Sequence, residues 1–352
     1  MAPIDRRTRL WAWLVKRQGS VGTKSDVDII AMQSRHMPSN GLTNFVFGAV
    51  RPRTELRDLT ISGPGGDLPV RVYQPAAPNR GPRPLILYIH GGGFVFGDLR
   101  MGDWMCSSVA VTVGAIVVSV DYRLAPAHRF PAAVDDCYAA LTWAAENAAA
   151  LGATGPAAVA GPGAASEPGA ASEPGAAAGA PRIGVMGESA GGNLSAVMCL
   201  LARDRGGPAI SHQALLYPPT DMTRMAPAAA NSLILSEPDM QAFRRLYLGA
   251  ADPADPRVSP LLAPDHSRLP PALVQVAEHD PLRDDGIRYA AALRSAGVPV
   301  RFTEYVGVPH GYLNFPGVCR IALQAMAEIC AEQTAALVRP SAPVSEAARL
   351  PG

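Results

Sequence analysis

The residues best suited to covalent chemistry are Ser189, His310 and Asp280, together with a run of three glycines after His90. Ser189 sits in Gly187-Glu188-Ser189-Ala190-Gly191, the chain's single G-x-S-x-G. It follows an apolar run, Ile183–Met186, and opens an alanine- and leucine-rich stretch that reads as a helix from Ala190 to Arg203. A serine on a sharp strand-to-helix turn needs small neighbours, because the backbone is strained and the helix packs close. A helix N-terminus beside it supplies free N–H groups and the positive end of a dipole. That setting suits a nucleophile, whereas a serine that merely caps a helix does not need it.

An acyl-transfer nucleophile also requires donors aimed at the developing oxyanion. His90-Gly91-Gly92-Gly93-Phe94 follows a second apolar run, Leu85–Ile89, and glycines let a substrate oxygen approach the backbone closely. The expected donors are the N–H groups of Gly92, Gly93 and Ala190, with Gly91 and Phe94 as candidate substrate-lining positions. For Phe94, plain packing is an equally good account. The base and its orienting acid are expected beyond later strands. Asp280 follows the run Ala272–Ala277, and His310 follows Val300–Tyr305. In a parallel α/β sheet both would lie on the same edge as Ser189. Glu278, Asp284 and Asp285 compete with Asp280. The last two read as the first turn of the next helix, where acids favour the N-terminus. The order Ser189, Asp280, His310 is that of the α/β hydrolases.

These residues need a scaffold, and the pattern supplies one. Short apolar runs at 85–89, 115–120, 183–186, 272–277 and 300–305 alternate with helical stretches, which indicates a mostly parallel sheet covered on both faces. Residues 54–75 read as two strands joined by the turn Gly63-Pro64-Gly65-Gly66. Residues 1 to about 50 read as one or two helices and a loop, with Trp11 and Trp13 among basic residues. Residues 153–180 are almost entirely Ala, Gly and Pro, with the hexapeptide Gly-Ala-Ala-Ser-Glu-Pro repeated at 163–174. Such a composition reads as a surface loop without chemistry, and 339–352 as a frayed tail.

Composition narrows the function further. The 352 residues carry 31 basic and 30 acidic side chains, so no electrostatic footprint for nucleic acid exists. Only two of the basic residues are lysines, Lys16 and Lys24, and neither forms a Ser-x-x-Lys or a phosphate-loop Gly-Lys. Five spread cysteines and seven scattered histidines offer no disulfide framework, zinc motif or H-E-x-x-H, so no metal is expected. The basic N-terminus has no apolar run long enough for a secretory signal, and no 18-residue apolar span occurs. A cytoplasmic protein is expected. Contact of the Trp-bearing segment with a lipid surface and a homodimer both remain open.

Taken together, His90-Gly-Gly-Gly-Phe94, Asp121-Tyr-Arg-Leu-Ala-Pro126, Gly187-Glu-Ser-Ala-Gly-Gly-Asn193, His279-Asp-Pro-Leu-Arg-Asp-Asp-Gly286 and His310-Gly resemble the hormone-sensitive-lipase-like group of α/β-hydrolase esterases. The resemblance implies an α/β-hydrolase domain over 51–338. It also implies a cap made of residues 1–50 and about 217–250, short- to medium-chain ester substrates, and no cofactor. The family usually has Asp or Thr where Glu188 stands, and Glu where Ala127 stands. An amidase or deacetylase would use the same triad. Receptors built on this fold lack the base histidine, which His310 supplies. Asp121 and Arg123 are expected in a buried structural network.

Overall fold

The computed structural model describes residues 2–17, 19–34, 40–76, 81–155, 179–224 and 233–338. Its centre is an eight-stranded sheet with strands β1 (Thr54–Gly63), β2 (Gly66–Pro75), β3 (Leu85–Ile89), β4 (Ile116–Val120), β5 (Ile183–Glu188), β6 (Ile210–Leu216), β7 (Ala272–His279) and β8 (Val300–Pro309). The spatial order is β1-β2-β4-β3-β5-β6-β7-β8. β1 and β2 form an antiparallel hairpin, β2 runs antiparallel to β4, and every later pairing is parallel. The edge strand β1 carries Glu55, Arg57 and Asp58 exposed. Charges on an edge discourage pairing with another chain.

Helices α1 (Arg6–Lys16), α2 (Asp26–Gln33) and α3 (Gly41–Phe47) precede the sheet. α4 (Asp103–Val113), α5 (Ala132–Glu146), α6 (Ala190–Asp204), α7 (Glu237–Leu248), α8 (Arg283–Ser295) and α9 (Ile321–Gln333) follow in chain order. Alternation along β3 shows how the sheet divides its two cores. Leu85, Leu87 and Ile89 pack with Leu141 of α5, Leu194 of α6 and Tyr289 of α8. Ile86 and Tyr88 pack with Val109 of α4 and Ile329 of α9 on the other face. Successive strand side chains point to opposite faces, so a strand buried on both sides must be apolar throughout. β3 and β4 are fully buried and meet that demand.

β6 is absent from the sequence reading, which passes from the helix ending at Arg203 to the run at 272. The reason is visible in Ser211-His212-Gln213. These polar residues break the apolar texture, yet His212 and Gln213 are buried in the middle of the sheet. The Gln213 side-chain amide donates to the Pro270 carbonyl at 2.9 Å. Helices α4 and α9 are likewise additions to that reading. The repeat-bearing stretch 156–178 and the tail 339–352 lie outside the described residues. The flanks of the first are tied down: Thr154 bridges Arg83, and Gly155 N–H donates to the Gly179 carbonyl.

The N-terminal helices and α7 meet each other. Asp239, at the N-terminus of α7, accepts from the Ser20 hydroxyl at 2.6 Å and from the Val21 N–H at 2.8 Å. It also completes a capping box with Ser236. The Gln33 amide donates to the carbonyls of Val95 and Ala125, both at 2.7 Å, which fastens α2 to the body. Among the described residues no helix is long and apolar enough to cross a membrane.

Candidate active site

Three strands end where the chemistry-bearing residues begin. Ser189 follows Glu188 of β5, Asp280 follows His279 of β7, and His310 follows Pro309 of β8. His279 and Pro309 are register partners, so Asp280 and His310 leave the sheet side by side. Ser189 Oγ lies 2.9 Å from His310 Nε2, and His310 Nδ1 lies 2.7 Å from Asp280 Oδ2. Asp280 Oδ1 accepts the Leu282 N–H at 2.8 Å, which fixes the carboxylate's rotation. All three residues are buried.

The turn at Ser189 is strained, with φ 53° and ψ −120°. Non-glycine residues reach this region only when the surroundings impose it, at a cost of about 1–3 kcal/mol. The imposing contacts are close ones. A side chain on Gly187 would strike the Gly191 carbonyl, and one on Gly191 would strike the Ile89 carbonyl. Both glycines are therefore spacers that let α6 approach β3 and β5. Ala190 begins α6, and a first-turn N–H has no partner within its own helix.

The glycine turn after β3 is held from three sides. The Tyr122 hydroxyl donates to the His90 carbonyl at 2.9 Å, and its ring stacks on His90 at 4.3 Å. Glu188 Oε1 accepts the Gly91 N–H at 2.6 Å. The carbonyl of Gly92 accepts from Val95 and Phe96. Gly92 and Gly93 take positive φ, 103° and 65°, and line one cavity with Ser189, Ala190 and His310. Gly91, a candidate lining residue by sequence, is not among the residues that line that cavity, and its N–H is committed to Glu188. Phe94 does both things considered for it: it reaches the cavity wall and stacks on Tyr247 of α7 at 3.8 Å.

Burial and charge tune the ionisable groups. Burial disfavours a charged His310, but the Asp280 carboxylate, its hydrogen bond and the Glu188 charge outweigh it, so the imidazole pKa is raised. Burial pushes the Glu188 carboxyl upward, against the Gly91 N–H, His310 and Asn314. His90 is pushed down to about 4, chiefly by burial, and stays neutral.

The rivals of Asp280 fall elsewhere. Glu278 accepts from the N–H groups of Ala2 and Gly307. Asp284 is exposed at the start of α8. Asp285 needs correction: it is no ordinary first-turn acid. It is buried, accepts from the N–H groups of Thr220 and Asp221, and pairs with Arg288 at 2.7 Å. Arg288 also grips Asp221 at 2.7 Å, so this cluster clamps the chain leaving β6 onto α8. Arg123, expected with Asp121 in a buried network, is only partly buried, and the acid that grips it is the buried Asp136 of α5. Sequence reasoning singled out neither Asp136 nor Arg288.

The cavity measures about 740 Å³. Its floor is the glycine turn, Ser189, Ala190 and His310. Trp11, Phe47, Met240 and Phe243 from the flanking helices, with Ile234 and Phe315, provide apolar walls. Trp11 packs edge-on against Phe47 at 5.6 Å, whereas Trp13 is half exposed beneath the Arg17 guanidinium.

The family model for the alpha/beta hydrolase fold matches residues 86–314, which hold every residue of this floor. This chain is an α/β hydrolase of the hormone-sensitive-lipase-like group. The hydrolase is 41% identical over 282 residues to the esterase LipI of Mycobacterium tuberculosis, covering 78% of this chain and 80% of LipI. It is 42% identical over 283 residues to the carboxylesterase NlhH of the same organism, with the same coverage. Among solved structures, a hyperthermophilic esterase from the archaeon Pyrobaculum calidifontis superposes with a TM-score of 0.74 at 33% identity, covering 95% of this chain and 99% of that one. The ester hydrolase EH1AB1 from the Lake Arreo metagenome gives 0.78 at 31% identity, covering 94% and 98%.

Proposed function

We propose that this α/β hydrolase cleaves short- to medium-chain carboxylic esters with Ser189 as nucleophile, His310 as general base and Asp280 as its orienting acid. The observation that carries the reading is the unbroken hydrogen-bond chain Ser189–His310–Asp280 at the floor of an apolar cavity. In the first step Ser189 Oγ attacks the ester carbonyl while His310 Nε2 takes its proton. Asp280 holds the Nδ1–H tautomer and stabilises the imidazolium that forms. The carbonyl oxygen becomes an oxyanion held by the N–H groups of Gly92, Gly93 and Ala190. His310 then protonates the leaving alkoxide, and the acyl group stays on Ser189. Water enters, His310 activates it, and the acid leaves.

The glycine turn can serve as a donor cradle because Glu188 occupies the Gly91 N–H and Tyr122 occupies the His90 carbonyl. Those bonds fix the peptide planes before substrate arrives, and such preorganisation is the main source of electrostatic catalysis. Residues 1–50 and about 217–250 act as a cap, a reading supported, among their described residues, by the Asp239 bonds between them and by the walls they supply. The cytoplasm is the compartment we favour, on the strength of five buried, unpaired thiols.

The test is the rate on p-nitrophenyl esters from acetate to palmitate. Turnover should peak among short to medium chains, fall steeply beyond them, and be poor on emulsified triolein. Faster turnover of emulsified long-chain triglyceride than of soluble esters would contradict the reading.

A further inference from the structure

The cavity described above is lined by four cations as well as by its reactive floor: Lys16, Lys24, Arg224 and Arg244. They come from the end of α1, the turn before α2, the segment after β6 and α7. None comes from the floor. Among the described residues no ion pair or hydrogen bond engages the charged ends of Lys16, Lys24, Arg224 or Arg244, and Asp28 lies near enough to Lys24 for its carboxyl to feel that charge. Arginines elsewhere in the molecule commonly grip a carboxylate, as Arg71, Arg123, Arg257 and Arg283 do.

The acids that line the same cavity do not answer these charges. Glu188 accepts from the Gly91 N–H, Asp221 and Asp285 share Arg288, and Asp239 accepts from Ser20, Val21 and the Ser236 N–H. Each carboxylate is turned toward a donor inside the protein other than these four cations.

A second observation points to the same place. The chain has 29 arginines and two lysines, and both lysines line this one cavity. A lysine is a compact, strongly hydrated charge on a flexible stem, where an arginine is a rigid planar fork. The flexible charge suits an anion held at a wet rim in more than one pose.

From this placement we infer that the cap side of the cavity is an anion-binding subsite. The preferred esters carry a carboxylate at the end remote from the reacting carbonyl. This rests on the esterase reading above and specifies its substrate class. The apolar walls of Trp11 and Phe243 suit the methylenes that join the two ends of such a molecule.

The test compares mono-p-nitrophenyl adipate, an anion, with its neutral methyl ester at low ionic strength. The ratio of the two kcat/KM values is read within each protein, so differences in folded fraction cancel. The parent protein should favour the anion about tenfold, since several partly exposed pairs contribute modestly each, and the preference should shrink in 0.5 M NaCl. The ratio should fall toward one in K16Q/K24Q and in R244Q. It should return in K16R/K24R, which restores the charge. Equal rates on the two esters in the parent, or an anion preference that survives all these substitutions, would overturn the proposal. Loss of binding to phosphatidylglycerol vesicles in the Gln variants without any change in the ester ratio would also overturn it, by assigning the cations to a lipid surface. Failure to hydrolyse either ester would instead contradict the esterase reading itself.

Discussion

The floor and the cap of the cavity are built in opposite ways. On the floor, strained backbone and buried hydrogen bonds hold the key groups in place: Ser189 at φ 53°, the glycine turn between Tyr122 and Glu188, His310 between Ser189 and Asp280. The short helices proposed as the cap carry apolar residues on both their inner and outer sides. Leu10, Trp13, Leu14, Val27, Ile30, Leu42 and Phe45 stay exposed, while Ala12, Ile29 and Val46 are buried. Bond-making demands sub-ångström placement, which only over-determined backbone provides. Substrate choice needs area and charge, which side chains on helices supply without strain. On the function proposed above, rate belongs to the floor and selection to the helices over it.

The strongest way to break that division is to alter the floor where shape is kept and chemistry lost. Asp280→Asn should lower kcat by about 10⁴-fold, because an amide favours the wrong His310 tautomer. Asp284→Asn should change kcat less than twofold, since that side chain faces solvent. Asp285→Asn should act differently again. It removes the ion pair with Arg288 and should cost about 1–3 kcal/mol of stability, read by denaturant unfolding, with kcat in the folded fraction largely kept. Activity lost in Asp285→Asn without loss of stability would move the orienting acid away from Asp280.

A smaller effect comes from protons. The raised pKa of His310 means that the neutral form becomes the majority only at a pH above the ordinary imidazole value of about 6.5. kcat/KM should rise with pH, with its half-point above 6.5, and fall roughly tenfold for each unit below that point. A half-point well below 6.5 would mean that burial, not Asp280, dominates the histidine. The smallest effect belongs to the outer cap face. Leu10→Ser and Leu14→Ser should each shift stability by no more than about 0.5 kcal/mol, as for other surface sites. A large fall in melting temperature would show that this face is covered in solution.

How much of this was legible beforehand follows from what each residue does locally. Ser189, Gly92 and Gly93 could be found because their backbone geometry demands glycine neighbours in a short run. Asp280 and His310 could be found because each stands directly after an apolar strand. β6 was hidden because Gln213 satisfies its polarity by reaching the Pro270 carbonyl, a partner 57 residues away. The same holds for Arg288, whose two carboxylate partners come from different elements, and for Glu188, whose partner is a backbone N–H on another loop. Long-range polar satisfaction leaves no period in the sequence. A cap was expected only through family resemblance, since helices with apolar residues on both sides do not announce which face they bury.

The account stands most directly on Ser189. The parent enzyme treated with a fluorophosphonate probe should lose activity in step with labelling, and digestion should locate the probe on Ser189 alone. Ser189→Ala should fold with unchanged unfolding behaviour, take up no probe and retain almost no hydrolysis of p-nitrophenyl butyrate. Labelling at a different serine, with Ser189→Ala still turning over the ester, would contradict it.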